Sequence, residues 1–155
     1  MRNFESIREE LLPVHDGVVM KPYTPERSTS KSACYDLRSL SEGFVMPGQT
    51  VMCRTGLKAH MNDGEALMMY SRSGMGVKSG IVLANGTGVI DADYADNPTN
   101  DGELLVALRN EGKAPYQVHI GDKIAQCMFI AVAGEADGTV TRDVQRKGGF
   151  GSTAA

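Results

Sequence analysis

Glycine and proline cut this chain into short pieces. Eighteen glycines and six prolines are spread over 155 residues, leaving little room for a long helix. Between the breaks lie β-prone runs: VVMK (18–21), FVM (44–46), TVMCRT (50–55), EALMMYS (65–71), GIVLA (80–84), ELLVALR (103–109), YQVHI (116–120) and KIAQCMFIAV (123–132). Short strands separated by turn residues at this spacing predict an all-β sandwich or barrel. One helix is expected over residues 4–12, where Ile7 and Leu11 stand four apart and Pro13 stops the run. A single-turn helix is expected after Ser73. The stretch ADNPTNDG (95–102) reads as an exposed loop of turn formers, and no internal repeat is present. Residues 1–17 and the glycine-rich end GGFGSTAA (148–155) read as detached from the core. The expected organisation is an N-terminal extension (1–17), one β-barrel domain (18–144) and a flexible C-terminal tail (145–155).

A chain of this size buries about 70% of its unfolded surface, so it needs neither metal nor disulfide to fold. Its net charge of −3 and pI near 5.6 argue against a nucleic-acid partner, which would call for a basic stripe. No apolar run approaches the ~20 residues of a membrane span. The first fifteen residues mix both charge signs and lack the apolar core of a signal peptide. A cytoplasmic location without a membrane partner is expected. Cys34, Cys53 and Cys127 are odd in number and far apart, fitting neither a disulfide framework nor a zinc site. They read as small apolar residues. His15, His60 and His119 are equally dispersed.

The segment GMGVKS (74–79) lacks P-loop spacing, and no zinc-protease, EF-hand or dinucleotide motif occurs. Five polar segments instead interrupt apolar strands and tight turns. The first is Tyr35-Asp36-Leu37. The second, Ser71-Arg72-Ser73-Gly74, sits where a strand meets a helical turn. There, free backbone N–H groups and an Arg would grip a phosphate, unless Ser73 is simply an N-cap beside a solvent-facing Arg. The third runs from Asn85-Gly86, a pair favouring a type I′ hairpin turn, through Val89 and Ile90 to Asp91. That acid is either part of a solvated loop or a general base held on a rigid strand. The fourth is Gln126 inside IAQCMFI, which in a period-2 strand can simply face solvent. The fifth, RKGGFGSTAA (146–155), is either a disordered terminus or a segment whose glycine-flanked Phe folds over a ligand.

In this order, the five segments resemble the five motifs of the homotrimeric deoxyuridine triphosphatases (dUTPases). Ala33-Cys34-Tyr35-Asp36-Leu37 is similar to the A-G-Y-D-L pattern, and Arg72-Ser73-Gly74 to R-S-G. Gly80 to Leu83, Asn85, and Gly88 to Tyr94 resemble the uracil-binding hairpin with its acid. Gly121-Asp122-Lys123-Ile124-Ala125-Gln126 is similar to the fourth motif, and Gly148-Gly149-Phe150-Gly151-Ser152-Thr153 to the fifth. Each motif alone is weak; five in order from Ala33 to Thr153 is a strong signal.

The resemblance implies a jelly-roll β-barrel assembled as a C3 homotrimer, with active sites at subunit interfaces and the tail closing over them. It implies hydrolysis of dUTP to dUMP and pyrophosphate, with Mg²⁺ held mainly by the triphosphate. Asp91 would activate the attacking water. Arg72, Ser73, Gly74 and Arg146 would hold phosphates, and Gln126 and Asp36 would reach the metal through water. Asn85 with the hairpin around Gly88, Val89 and Ile90 would read uracil, Tyr94 would pack on the sugar, and Phe150 would stack on the base. Gly151 would belong to the closing tail, with Ser152 and Thr153 near the terminal phosphate.

Three departures stand out. Cys34 replaces the usual Gly. About six residues, ADNPTN, are added between Tyr94 and Asp101-Gly102-Glu103, a possible surface for an unknown protein partner over 95–102. Gln145 stands where the tail Arg is usual, with Arg146 one residue nearer Phe150. The rival enzyme is a dCTP deaminase, similar in fold, whose glutamate lies three residues before an Asn. Counting back from Asn110 gives Ala107, which cannot relay protons, and Asn85-Gly86-Thr87 replaces that family's His-Thr-Ala run. A nucleotide-switched regulatory protein is the second alternative.

Overall fold

The structure, a computed structural model, describes residues 1–141 with Gly148 and Gly149. The tail positions Arg146, Phe150, Gly151, Ser152 and Thr153 lie outside the described residues. In chain order the elements are β1 (Asn3–Ser6), β2 (Val14–His15), β3 (Val18–Val19), β4 (Tyr35–Arg38), β5 (Gly43–Val45), β6 (Thr50–Cys53), β7 (Leu57–His60), β8 (Glu65–Tyr70), α1 (Ser73–Ser79), β9 (Ile81–Leu83), β10 (Gly88–Asp91), β11 (Val106–Asn110), β12 (Tyr116–Val118) and β13 (Lys123–Ala131). The architecture is all-β, of the jelly-roll type, and the eight predicted β-runs all contain strands.

A four-stranded sheet β10-β8-β13-β4 and a three-stranded sheet β6-β11-β9 carry most of the core, with smaller pairs β1-β7, β12-β5 and β2-β3. The pairings within these sheets are antiparallel. Alternation puts Leu67 and Met69 of β8, Ala125 and Cys127 of β13, and Val106 and Leu108 of β11 into one buried cluster, which Ile124 joins at a β-bulge. Burial pushes the Cys53 thiol up to about 11 and raises Cys127 as well. Both thiols therefore stay protonated and act as small apolar residues, as expected.

The predicted helix over 4–12 does not form. Residues Asn3 to Ser6 instead pair with β7, from Asn3 opposite His60 to Ser6 opposite Leu57, and only a 3₁₀ turn, Glu9–Leu11, follows. A nine-residue helix is marginal alone in water. The strand satisfies its backbone and sets Phe4 among Tyr35 and Phe129, with ring centroids 5.5 and 5.3 Å away. Residues 1–17 are thus not detached. Ile7 is 2% exposed, its N–H bonds Gly56 O at 2.9 Å, and Arg54 donates to the Leu11 carbonyl.

The Arg2 guanidinium fastens β1 to Glu65 at the start of β8. Arg2 first, then the Asn62 amide, hold the Glu65 carboxyl down at about 2, from 4.5. A lowered carboxylate stabilises the fold above its unfolded value and loses that contribution as pH falls through the folded one. Amide protection of residues 3–6, corrected for intrinsic exchange, should therefore weaken relative to β13 between about pH 4.5 and 2, and Glu65→Gln should abolish that pH dependence.

Two turns also depart from expectation. Asn85 is not at positive φ, as a type I′ turn would require, and β9 and β10 run into different sheets. The pair with φ of 49° and 77° is Asp16-Gly17, between β2 and β3, where both central residues adopt the conformation that such a hairpin demands. The loop 95–102 is not simply exposed either: Asn97 and Asp101 are 4% and 5% exposed, with Asn97 accepting from the loop's own Thr99 N–H and Asp101 from Lys58 of β7.

Candidate active site

β8 organises the site. On one side β10 sets Gly88 opposite Met69, Ile90 opposite Leu67 and Asp91 opposite Ala66. On the other, β13 sets Gln126 opposite Tyr70 and, one strand further, opposite Asp36. Cross-strand partners share a face, so Asp91, Gln126 and Asp36 belong to the same face of one sheet.

The β10 end forms a cavity of about 220 Å³ lined by Asn85, Gly88, Val89, Ile90, Asp91 and Tyr94, with Leu83, Ala107 and Gly149 among the others. The sequence-predicted residues of the third motif are thereby brought together. Gly88 lies against Met69, where an added Cβ would come within 3.0 Å of the Met69 Cβ. Tyr94 is 8% exposed, and its hydroxyl donates to the Glu103 carbonyl at 3.2 Å. Gly149 covers that ring so closely that an added Cβ would stand 2.8 Å from Cε2. The tail glycine therefore reaches the cavity through a contact that only glycine permits.

The opposite end of β8 gathers the first, second and fourth motifs. Arg72, in extended conformation, is the N-cap of α1, so Ser73 is not a side-chain cap but the first helical residue. The first helical bond runs from Gly76 N to Arg72 O, which leaves the N–H groups of Ser73 and Gly74 with no acceptor within the helix. An added Cβ at Gly74 would meet no atom within 4 Å. Asp36 accepts from Arg72 Nε at 3.0 Å, Lys123 Nζ at 2.7 Å and Ser28 Oγ at 3.1 Å. Burial pushes the Asp36 carboxyl up, yet Lys123, Arg72 and Ser28 outweigh it and hold the group below the usual carboxylate range. Gln126 does not simply face solvent, since its Nε2 donates to Ser71 O at 3.0 Å. Ser71 Oγ in turn accepts from Leu83 N at 2.8 Å. The strand–helix junction is braced from both sides.

The two ends do not meet within one chain. From the Ala66 position to the Tyr70 position is four residues, about 13 Å along β8, and two strand spacings add about 10 Å across, so Asp91 and Gln126 backbones stand about 16 Å apart. Sequence inspection missed Lys123 and Ser28 around Asp36, and it missed the group behind Tyr94. There Glu103 accepts from Arg54 Nε at 3.0 Å, Arg54 Nη2 at 2.7 Å and Gly56 N at 2.9 Å. A charged residue opening the apolar run ELLVALR is the signal that marks it. Among the described residues no group of three His, Cys, Asp or Glu could cage a metal, and no helix is long and apolar enough to cross a membrane.

This arrangement can be set beside known proteins. The dUTPase family model matches residues 21–154. The deoxyuridine 5'-triphosphate nucleotidohydrolase of Lactococcus lactis subsp. lactis (strain IL1403) is 41% identical over 132 residues, 84% of this chain and 87% of its own length. That of Actinobacillus pleuropneumoniae serotype 3 (strain JL03) is 38% identical over 148 residues, 90% and 93% of the two chains. The crystal structure of dUTPase from Streptococcus mutans superposes with a TM-score of 0.72 at 32% identity, over 86% of this chain and 98% of that one. A dUTPase from phage phi11 of S. aureus shares the fold at a TM-score of 0.71 and 21% identity, over 92% and 97% of the two chains. With a family match from residue 21 to 154 and relatives near 40% identity over most of its length, the chain belongs to the dUTPase family.

Proposed function

We propose that this protein hydrolyses dUTP to dUMP and pyrophosphate in the cytoplasm, with Asp91 as general base. Asp91 takes a proton from water as the water oxygen bonds the α-phosphorus in line. The bond from that phosphorus to the bridging oxygen breaks, and pyrophosphate leaves with the electron pair. Arg72 and the N–H groups of Ser73 and Gly74 stabilise the charge growing on the phosphates. Asp36, locked between Arg72 and Lys123, orients the guanidinium. Uracil offers O2, N3–H and O4, which Asn85 and the backbone at Gly88 and Ile90 complement. Cytosine would leave buried groups unpaired, a mismatch that costs ~10⁴ in discrimination. Tyr94 forms the sugar wall.

The observation that carries this proposal is the cavity in which Asn85, the β10 backbone, Asp91 and Tyr94 converge. Ala107 lines the same cavity and has no group to relay a proton, which disfavours deamination. Asp36 is already neutralised by two cations, and the described residues form no carboxylate cage. This donor set suits a Mg²⁺ carried by the triphosphate, with Asp36 and Gln126 reaching it through water. When bound, the ion would neutralise charge on the leaving pyrophosphate. The dUTPase of phage phi11 is described with a structural Mg(II) ion. A panel of dUTP, dCTP, dTTP and UTP with Mg²⁺, assayed for pyrophosphate and ammonia, tests the proposal. Pyrophosphate from dUTP alone is expected; ammonia from dCTP would overturn it.

The 16 Å split on β8 supports a site shared between copies in a homotrimer. Asp91→Asn and Arg72→Ala should each be inactive alone. Refolded together in equal amounts, they should regain about a quarter of wild-type activity, since random C3 assembly pairs an intact Asp91 with an intact Arg72 in one site of four. No recovery is expected if each chain builds its own site.

A further inference from the structure

We propose that the loop 95–102 is a clamp for Tyr94, and that Asn100 is a positioning residue that sharpens selection of deoxyribose over ribose. The proposal rests on the dUTPase function above, with Tyr94 as the sugar wall. Asn100 Nδ2 donates to the Tyr94 hydroxyl at 3.0 Å, and that hydroxyl donates to the Glu103 carbonyl at 3.2 Å. Asn97 Nδ2 holds the Tyr94 carbonyl at 2.9 Å. The residue is thus gripped at its backbone and at its ring tip by two side chains of one loop.

The loop is itself rigid. Asn97 Oδ1 accepts from the N–H of Thr99 and Asn100 at 3.0 and 3.2 Å. Asn100 Oδ1 accepts from Asn97 Nδ2 at 2.8 Å and from Gly102 N at 3.2 Å. Its two ends are tied to the barrel: Lys58 bonds both Asp96 and Asp101, and Asp101 also accepts from Arg8 N at 2.8 Å. Asp96 and Asp101 adopt φ of 59° and 58°, a left-handed conformation that persists in non-glycine residues when surrounding contacts over-determine it. Gly102, at φ 80°, packs so near the Ala95 backbone that an added Cβ would lie 2.6 Å from its Cα. Such a loop has one geometry to transmit.

Excluding a 2′-hydroxyl requires a wall that does not yield. With the phenol free to tilt, the ring gives way to the larger sugar; with both hydrogen bonds in place it stays. The test compares wild type with Asn100→Ala, Tyr94→Phe and the double variant. It reads kcat and KM for dUTP and UTP, and equilibrium binding of dUMP and UMP by calorimetry. Each single substitution should lower the dUTP-over-UTP ratio of kcat/KM about three- to tenfold, the scale of one neutral hydrogen bond. The change should lie in KM and be matched in the dUMP-to-UMP binding ratio, and in Asn100→Ala, outside the cavity lining, kcat for dUTP should be little altered. The double variant should lose less than the product of the two single losses, because both substitutions remove the same Asn100–Tyr94 contact.

Tyr94→Phe leaves the loop's own bonds intact, so it decides the matter even if Asn100→Ala unfolds. An unchanged ratio in Tyr94→Phe, or additive losses in the double variant, overturns the clamp while leaving the hydrolysis intact. A wild type that neither hydrolyses dUTP nor binds dUMP would overturn the underlying function, and the clamp with it.

Discussion

Replacing Asp91 with Asn should slow dUTP turnover by about 10²–10⁴-fold while leaving nucleotide binding largely intact. The substitution is nearly isosteric and lies at the end of β10, opposite Ala66, where it removes no core contact. Its hydrogen-bonding oxygen remains, but its capacity to take a proton from water does not. The proposed uracil contacts are other groups, namely Asn85 and the backbone of Gly88 and Ile90, so affinity for a non-hydrolysable dUTP analogue should survive. The two measurements belong together: calorimetric binding on the variant and pyrophosphate release under saturating substrate. A variant that keeps more than half the wild-type rate would remove Asp91 from the chemistry.

The largest expected effect on stability comes from Glu103→Ala. Glu103 is 3% exposed and holds Arg54 through both carboxylate oxygens together with the buried N–H of Gly56. Arg54 also reaches the Leu11 carbonyl, so the same pair fastens the N-terminal segment to the barrel. Removing one partner of such a pair strands the other and leaves a buried amide unsatisfied. Because the Arg54 side chain is one-third exposed, water recovers part of the loss, and about 3 kcal/mol is expected. For a chain of this length that corresponds to a fall of about 6–12 °C in Tm. Glu103→Gln should recover part of it by keeping an acceptor for Gly56. Melting curves at one fixed protein concentration check both, and a Tm within about 2 °C of wild type would show that the pair stabilises little.

Much of this was legible in the residues. Five of the seven strands of the four- and three-stranded sheets lie in apolar runs bounded by turn residues, as in EALMMYS and KIAQCMFIAV, whereas β4 and β10 lie outside those runs. The grouping of the cavity's lining was visible because Asn85 to Tyr94 lie in one continuous segment. What stayed hidden depended on distant partners. Residues 4–12 carry a helical spacing, and only β7, more than fifty residues away in sequence, turns their first part into a strand. Asn85-Gly86 carried the stronger hairpin signal, yet Asp16-Gly17 forms the turn, because Ile81–Leu83 finds its partner in β11 rather than β10. Lys123 meets Asp36 across 87 residues of sequence, through a register that no local pattern encodes. The loop 95–102 has the composition of a solvated linker. Only its folded contacts reveal that its asparagines turn inward, onto Tyr94.

The length of β8 has a consequence for how such a catalyst responds to its own abundance. Its six residues separate Asp91, opposite Ala66, from the Arg72 junction that follows Tyr70, the two places to which the proposed mechanism gives water activation and the phosphate grip. On the proposed reading, a solitary chain would offer a base pocket at one end of β8 and an anion grip at the other, too far apart to act on one reacting phosphate. With the working centre completed only by neighbours, specific activity would fall on dilution, and the rate would rise more steeply than first order in protein near the dissociation range. Supply of the polypeptide would act as a switch without any effector molecule.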